Sequence, residues 1–317
     1  MWSYLVVAVA AAGYLWLEGD RSWLATIFLF GPRWPLLLPA PILTLTALLV
    51  RPKFLLPITA ATLVILGPVM GFHLGWRRLF LPNDPRDLRL ITFNVDGHEN
   101  SLLTLIPSSL LRLEPDVVVF QECEEPLVAP GLWPAGWTAR YDGGICLATR
   151  NHVDTARVLQ RVDTGEQGGT GNAILYRLTT ASGPVELAAV HLETPRKGLE
   201  PLQETGSVGT LELNILVREA GSRRVSRWIR EQAPGAIIAG DFNLPSESLI
   251  FRDSWDRCTD AFSAVGFGFG WTRVLKHFSA RIDHVLSCAT WTPLRTEIGP
   301  DLGSDHLPLI VDLKRTR

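Results

Sequence analysis

Two textures divide the chain. Up to about residue 75 the apolar positions run together. Trp2 to Leu17 carries no charge and stops at Glu18-Gly19-Asp20-Arg21, Trp23 to Val50 is interrupted by Gly31-Pro32-Arg33-Trp34-Pro35, and Phe54 to Leu74 is apolar again. A helix crosses the hydrocarbon core of a bilayer with roughly 20 apolar residues, within a range of about 17–25. The third run meets that length and the first is marginal, while Leu36 to Val50 falls short unless it extends back through the proline-rich break. No basic stretch precedes the first run and two more follow it, which favours an anchor over a cleaved signal peptide. The pattern predicts a membrane anchor of about three transmembrane helices over residues 1–75. A linker over 76–87 follows, opening on Trp76-Arg77-Arg78 as an interfacial group.

From Leu88 onward, short apolar runs alternate with loops. Strands are predicted at 88–95, 116–121, 144–149, 172–179, 185–192, 236–240, 282–288 and 307–313. Ser101 to Leu113 and Leu211 to Gln232 are predicted as helices, the second from its amphipathic spacing. About 230 residues with this many strands suit an α/β domain of two packed sheets flanked by helices.

Several of these strands carry the same kind of ending. Ala236 to Gly240 runs apolar into Asp241-Phe242-Asn243, and residues two apart on an extended chain share a face. Leu90 to Val95 holds Asn94 and leads to Asp96, Val117 to Phe120 runs into Gln121-Glu122, and Val185 to Val190 ends in His191. Arg281-Ile282-Asp283-His284 opens another run, and Ser304-Asp305-His306 precedes Leu307 to Val311. Asp96, Glu122, Asp241 and Asp305 supply charged oxygen ligands and Asn94 and Asn243 neutral ones, a set that suits Mg²⁺ or Mn²⁺. His191 and His306 remain for proton transfer or contact with a charged oxygen. The chemistry this set fits is metal-assisted attack of water on a phosphoester.

Composition adds two constraints. Hydrophobic residues make up 47% of the 317-residue chain and mean hydropathy is +0.17, the excess lying in the first quarter. Residues 1–88 hold seven of the 30 Lys and Arg and four of the 32 Asp and Glu, so the remainder is acidic by about five charges. It lacks the basic footprint of a nucleic-acid binder. Cys123, Cys146, Cys258 and Cys288 show no metal-binding spacing; we read them as buried thiols, with one disulfide left open.

The ordered set Asn94-Val95-Asp96-Gly97, Gln121-Glu122, His191-Leu192, Gly240-Asp241-Phe242-Asn243, Arg281-Ile282-Asp283-His284 and Ser304-Asp305-His306 resembles the endonuclease/exonuclease/phosphatase superfamily. That group includes DNase I-like nucleases, abasic-site endonucleases, neutral sphingomyelinases and inositol-polyphosphate phosphatases. The anchor-plus-domain layout is similar to bacterial membrane-anchored members, including one associated with glycopeptide-antibiotic resistance. The resemblance covers residues 88–317 and implies a four-layer αββα sandwich. It implies Glu122 as principal metal ligand beside Asn94, Asp96 as the extra acid of the abasic-site branch, and Asp305 at the metal. His191 would contact the scissile phosphate, Asp241 would orient or deprotonate the water, Asn243 would hold a phosphate oxygen, and His306 would be a second catalytic histidine oriented by Asp283.

The expected protein is thus a membrane-anchored, Mg²⁺-dependent phosphohydrolase acting on a phosphorylated lipid or lipid-linked head group, with a membrane-tethered nuclease as the alternative. It would be integral to the plasma (inner) membrane. Arg51 and Lys53 between the second and third spans would place the catalytic domain outside, whereas Arg21, Arg33, Arg77 and Arg78 argue the other way; with the similar anchored proteins beside it, the second loop makes the extracytoplasmic side the expectation. His284, His98 and His152 read as structural or solvated, and Tyr141 as a surface aromatic. Two segments bear on substrate choice: Thr194-Pro195-Arg196-Lys197-Gly198, as a second phosphate site or a solvated turn, and Val265 to Trp271, as an interfacial loop or packing under the sheet.

Overall fold

Strands that are apolar at consecutive positions have two faces to cover, and in this chain both are covered. The structure is a computed structural model and describes residues 1–81, 85–97, 103–165, 168–275 and 278–316. Its strands are β1 (Leu88–Asn94), β2 (Val117–Gln121), β3 (Thr138–Tyr141), β4 (Ile145–Thr149), β5 (His152–Leu159), β6 (Asn172–Thr180), β7 (Gly183–His191), β8 (Ile237–Asp241), β9 (Thr259–Asp260), β10 (Arg273–Val274), β11 (Ser279–Ala280), β12 (Asp283–Ser287), β13 (Trp291–Ile298) and β14 (Leu309–Arg315). They form two six-stranded sheets, ordered β13-β14-β1-β2-β4-β3 and β5-β6-β7-β8-β12-β9, with β10 and β11 as a separate hairpin.

Alternate residues of each strand go to opposite faces. Leu88, Leu90, Val117, Val119, Ile145 and Leu147 of the first sheet meet Ile174, Tyr176, Leu187, Ala189, Ile237 and Ala239 of the second in one core. The outer face of the second sheet packs against α7 (Val208–Gln232) and α8 (Leu249–Trp255), through Leu211, Ile215, Val225, Ile229 and Trp255. The outer face of the first packs Ile91, Phe93, Val118 and Phe120 against Ile106 and Leu110 of α5 (Ile106–Leu111). Helix, sheet, sheet and helix thus lie in four layers, as expected. α7 is started by Ser207, whose hydroxyl accepts from the Thr210 N–H at 3.4 Å, and its buried residues recur every three or four positions. The helix expected over Ser101–Leu113 is shorter: a 3₁₀ turn at Leu103–Leu105 leads into α5, and residues 101–102 lie outside the described residues.

The cysteines correct the sequence reading. Cys123–Cys146 and Cys258–Cys288 are two disulfides, and no free cysteine remains among the described residues. The first is possible because β2 and β4 are neighbours with Phe120 opposite Cys146.

In the N-terminal region the helices are α1 (Trp2–Leu17), α2 (Trp23–Phe30), α3 (Pro39–Val50) and α4 (Leu55–Val64). Among the described residues one helix, Pro52–Val69, is long and apolar enough to cross a membrane, and Trp2–Leu17 is shorter. Trp23–Phe30 and Trp34–Val50 pass that test only as a pair bent by 73° at the Gly31–Pro35 break. α1, α3 and α4 pack through Ala8, Ala47, Ile58 and Ala61, and the alanines let the helices approach closely. Their large apolar side chains point outward, with Val9, Leu45, Leu49, Leu56 and Leu63 exposed.

α2 leaves this bundle and lies against α7, with the Arg218 guanidinium 5.0 Å from the Phe30 ring. Asp20 is the tie. It is fully buried, pairs with Arg218 at 3.2 Å, and accepts from the Ser248 hydroxyl at 2.8 Å and the Ile250 N–H at 3.2 Å. Gly19 just before it has φ of +53°, and a Cβ there would collide with Leu249. A second tie joins Arg33 to Glu247 at 2.7 Å. Removing one partner of a buried ion pair leaves an uncompensated charge, so Asp20→Ala is expected to destabilise the fold by about 3–5 kcal/mol. Arg21→Ala removes only the more exposed pairs with Glu219 and Asp253, expected to be worth under about 1 kcal/mol. Denaturant unfolding of the purified full chain tests this; equal losses in the two variants would remove Asp20 as the tie.

Candidate active site

The register of the central strands brings the polar strand ends together. Parallel pairing of β7 with β8 sets His191 beside Asp241, and antiparallel pairing of β12 with β8 sets Asp283 opposite Asp241. β1 and β2, also parallel, end together at Asn94 and Gln121 in the other sheet. The ends of both sheets meet where the Asn94 amide donates to Glu122 Oε1 and to Asp241 Oδ2, each at 3.0 Å. His191 Nε2 lies 3.6 Å from Glu122 Oε1 and 3.9 Å from Asp241 Oδ2. His306 donates from Nδ1 to Asp283 Oδ2 at 2.8 Å, and its Nε2 is 3.9 Å from Asp241 Oδ2.

The turns after the strands aim these groups. Asp96, Glu122 and Asn243 adopt left-handed φ of 48°, 49° and 51°, three of the five non-glycine residues that do so among the described residues. Such conformations each cost on the order of 1–3 kcal/mol and gather at functional sites. Asn243 is held by its own N–H to Asp241 Oδ1 at 2.8 Å and its amide to the Leu192 carbonyl at 3.0 Å. Gly240, with φ of 152°, lies so close to the Val190 carbonyl that a Cβ would collide with it; this is why a glycine precedes Asp241. Glu122 is followed immediately by Cys123, so the first disulfide fastens its turn to β4.

Other residues position the site without having been singled out from the sequence. The Thr272 hydroxyl accepts from the N–H groups of Ile282 and Asp283, both at 3.1 Å, and Arg273 pairs with Asp305 at 2.6 Å. The Ser304 hydroxyl donates to the Asn94 carbonyl at 2.8 Å and accepts from the His306 N–H at 3.1 Å. Of these only Ser304 lies in a recognisable motif. Arg281 pairs with Asp260 at 2.6 Å, and His284 lies beside it with Nε2 2.8 Å from the Leu244 carbonyl, a structural arrangement as expected. His152 is largely exposed, and Tyr141 ends β3 with its ring partly exposed. His98 lies outside the described residues.

Charge is tightly set. Asp241, Asp283 and His306 are all essentially excluded from solvent. Burial and the neighbouring Asp283 charge raise the Asp241 carboxyl above its usual range, against the pull of His306, His191 and the Asn94 amide. Burial alone would lower the His306 imidazole, but the Asp283 and Asp241 charges outweigh it and raise it to about 9. Burial works to raise Glu122, and His191, the Asn94 amide and His306 overcome it to hold the carboxyl low.

Among the described residues two groups bring ligand atoms within 4.8 Å of one another: Glu122, His191 and Asp241, and Asp241, Asp283 and His306. Asp96 and Asp305 are in neither group. Asp96 sits in the turn after β1, its N–H donating to Asn94 Oδ1 at 3.1 Å, and Asp305 stands at the rim against Arg273. At the site the buried Asp283 Oδ1 has no hydrogen-bond partner among the described residues. Carboxylates and an amide converging around Glu122 fit a hard divalent cation.

The Endonuclease/Exonuclease/phosphatase family model matches residues 91–306. Among curated proteins none matches the chain by sequence. Among solved structures, truncated Caenorhabditis elegans TDP2 superposes with a TM-score of 0.52 at 18% identity, over 72% of this chain and 97% of that one. The human Nocturnin catalytic domain with bound sulfate gives 0.54 at 17%, covering 74% and 96%. A mannosyl-6-phosphatase of Bacteroides thetaiotaomicron gives 0.51 at 14%, covering 71% and 99%. With two six-stranded sheets, one clustered rim and a family match over most of its length, the chain belongs to the endonuclease/exonuclease/phosphatase family, whose members are phosphoester hydrolases that typically depend on a divalent metal ion.

Proposed function

We propose that the protein is a membrane-anchored, Mg²⁺-dependent phosphohydrolase that cleaves a phosphoester on a phosphorylated lipid or lipid-linked head group. The observation that carries the catalytic part is the convergence of Asn94, Glu122, His191, Asp241, Asp283 and His306 at the joined ends of two sheets. Glu122 and Asn94 would hold the metal, which when bound neutralises phosphate oxygens and polarises the phosphorus. Asp241 orients the attacking water and takes its proton. His191 contacts a phosphate oxygen, while the Asn243 amide, expected from the sequence to do the same, instead donates to the Leu192 carbonyl and to Asp241 and so positions that carboxylate. His306, kept protonated by Asp283, presents its Nε2–H to the charge that develops on the phosphoryl group.

The membrane part rests on the outer face of α1, α3 and α4, where Val9, Leu45, Leu49, Leu56 and Leu63 are exposed around a core of Ala8, Ala47 and Ala61 with Tyr4 and Ile58. Only 28% of the Pro52–Val69 window is buried, which is unlike the core helix of a soluble protein. Two observations favour the outer face for the catalytic domain. Two disulfides suit an oxidising compartment. Arg21 and Arg33, two of the charges that argue for the inner face, are engaged by Glu219, Asp253 and Glu247 of the catalytic domain.

Chelation should abolish phosphate release by the purified protein, and added Mg²⁺ should restore it. Asp241→Ala and His306→Ala should each lower kcat by about 10²–10⁴-fold on a long-chain lipid phosphate. Full activity in both variants would sink the reading. A preference for DNA over lipid phosphates that falls steeply with salt would replace it with a nuclease.

In metal-free protein the His306 imidazole should titrate near 9, followed by NMR. In Asp283→Asn the midpoint should fall, because burial then opposes the charge with one carboxylate fewer. Since the folded value lies above the unfolded one, this group stabilises the fold fully below about pH 6.5. Its contribution is lost as pH rises through about 9. A midpoint unchanged by Asp283→Asn would remove Asp283 as the partner.

A further inference from the structure

Between the anchor and the catalytic domain lies a cavity of about 530 Å³, within the range of small-ligand sites. One wall is the break between α2 and α3 with the end of the third apolar segment, contributing Pro32, Trp34 and Met70; the other is the β10–β11 hairpin, contributing Trp271, Leu275 and Phe278. Six apolar side chains face it, and the bent helix pair and Met70 belong to the segment read above as anchor. Trp34 and Trp271 are both partly exposed at its mouth.

The hairpin wall is continuous with the active site. Trp271 is followed by Thr272, which holds the Asp283 N–H, and by Arg273, which holds Asp305 and bridges to His306. Two residues of extended chain span only about 7 Å. The Leu307 N–H donates to the Thr272 carbonyl at 2.6 Å, which ties the same hairpin to the strand entering β14. An apolar chamber at the anchor side of this hairpin and the phosphoester site at its other side are therefore separated by one short strand.

We propose that this cavity takes a hydrocarbon chain of the substrate, entering from the lipid phase while the phosphorylated head reaches the Asp241–His306 site. The assignment rests on the membrane phosphohydrolase reading and narrows it to amphiphiles with a single chain drawn out beside the hairpin. The occupant is set by continuity: the cavity meets the anchor's apolar segments on one side and the phosphate site on the other. Among the described residues that line it, the one cation, the Arg33 guanidinium, is already taken by Glu247 and the Val69 carbonyl.

The test uses the full-length protein in mixed micelles with a long-chain alkyl monophosphate bearing a mid-chain diazirine, with crosslinks mapped by mass spectrometry. Photolabelling is expected at Met70, Trp271 and Phe278. Met70→Trp, which fills the chamber, should lower labelling of the other two by about tenfold. Met70→Leu, which conserves volume, should retain it. Turnover of the same lipid should follow labelling across the three proteins. Labels confined to the outward positions Val9, Leu45 and Leu49, with turnover intact, would overturn the assignment alone. Cavity labelling with no release of phosphate from this lipid or from a soluble short-chain phosphate would overturn the reading beneath it.

Discussion

Two carboxylates buried opposite each other are the constraint around which this protein is built. Asp241 and Asp283 face one another across an antiparallel pair, both essentially without solvent. Like charges in such a place cannot both ionise without a cation between them. His306 provides it, bonded to one acid and 3.9 Å from the other. The histidine arrives from the turn before β14, in the opposite sheet. The charge balance of the site thus requires both sheets to be in register, and Ser304 and Thr272 secure that meeting with hydrogen bonds to backbone on each side.

The catalytic domain is bonded directly to the N-terminal helices. Asp20 and Arg33 of the N-terminal region are bonded to Arg218 and Glu247, and a backbone bridge joins His73 to Gly268. Phe72 packs edge-on against Phe267 and Phe269, at centroid distances of 5.5 and 5.1 Å. The aromatic loop whose role the sequence left open between interface and sheet packing is therefore divided. Val265 is buried against the domain, while Phe267 is exposed beside Phe72, in the chain leaving the N-terminal helices.

All eight strands read from apolar runs are present, with ends shifted by at most two residues, because those strands are central and dry. β5, β13, the short β3 and the two-residue β9, β10 and β11 were not anticipated. β5 and β13 lie at sheet edges and interrupt their apolar positions with polar ones, and β13 contains Pro293, so neither leaves an apolar run to find. The site was legible because its residues sit at the ends of the readable strands. What was not legible depends on contacts distant in sequence. The Cys123–Cys146 bond follows from the β2–β4 register, the support from Thr272 and Arg273 comes from a hairpin of two-residue strands, and Asp20 has its partner 198 residues away.

The buried tie at Asp20 has a consequence for kinetics. On the membrane reading proposed above, a domain bolted to the N-terminal helices could not swing, so its active site would sample a fixed height above the lipid and a fixed heading around each helix axis. Encounter with a lipid substrate would then be a two-dimensional affair of lateral diffusion. The variable governing the rate would be the mole fraction of substrate in the leaflet, with the bulk concentration in the surrounding water entering only through partitioning.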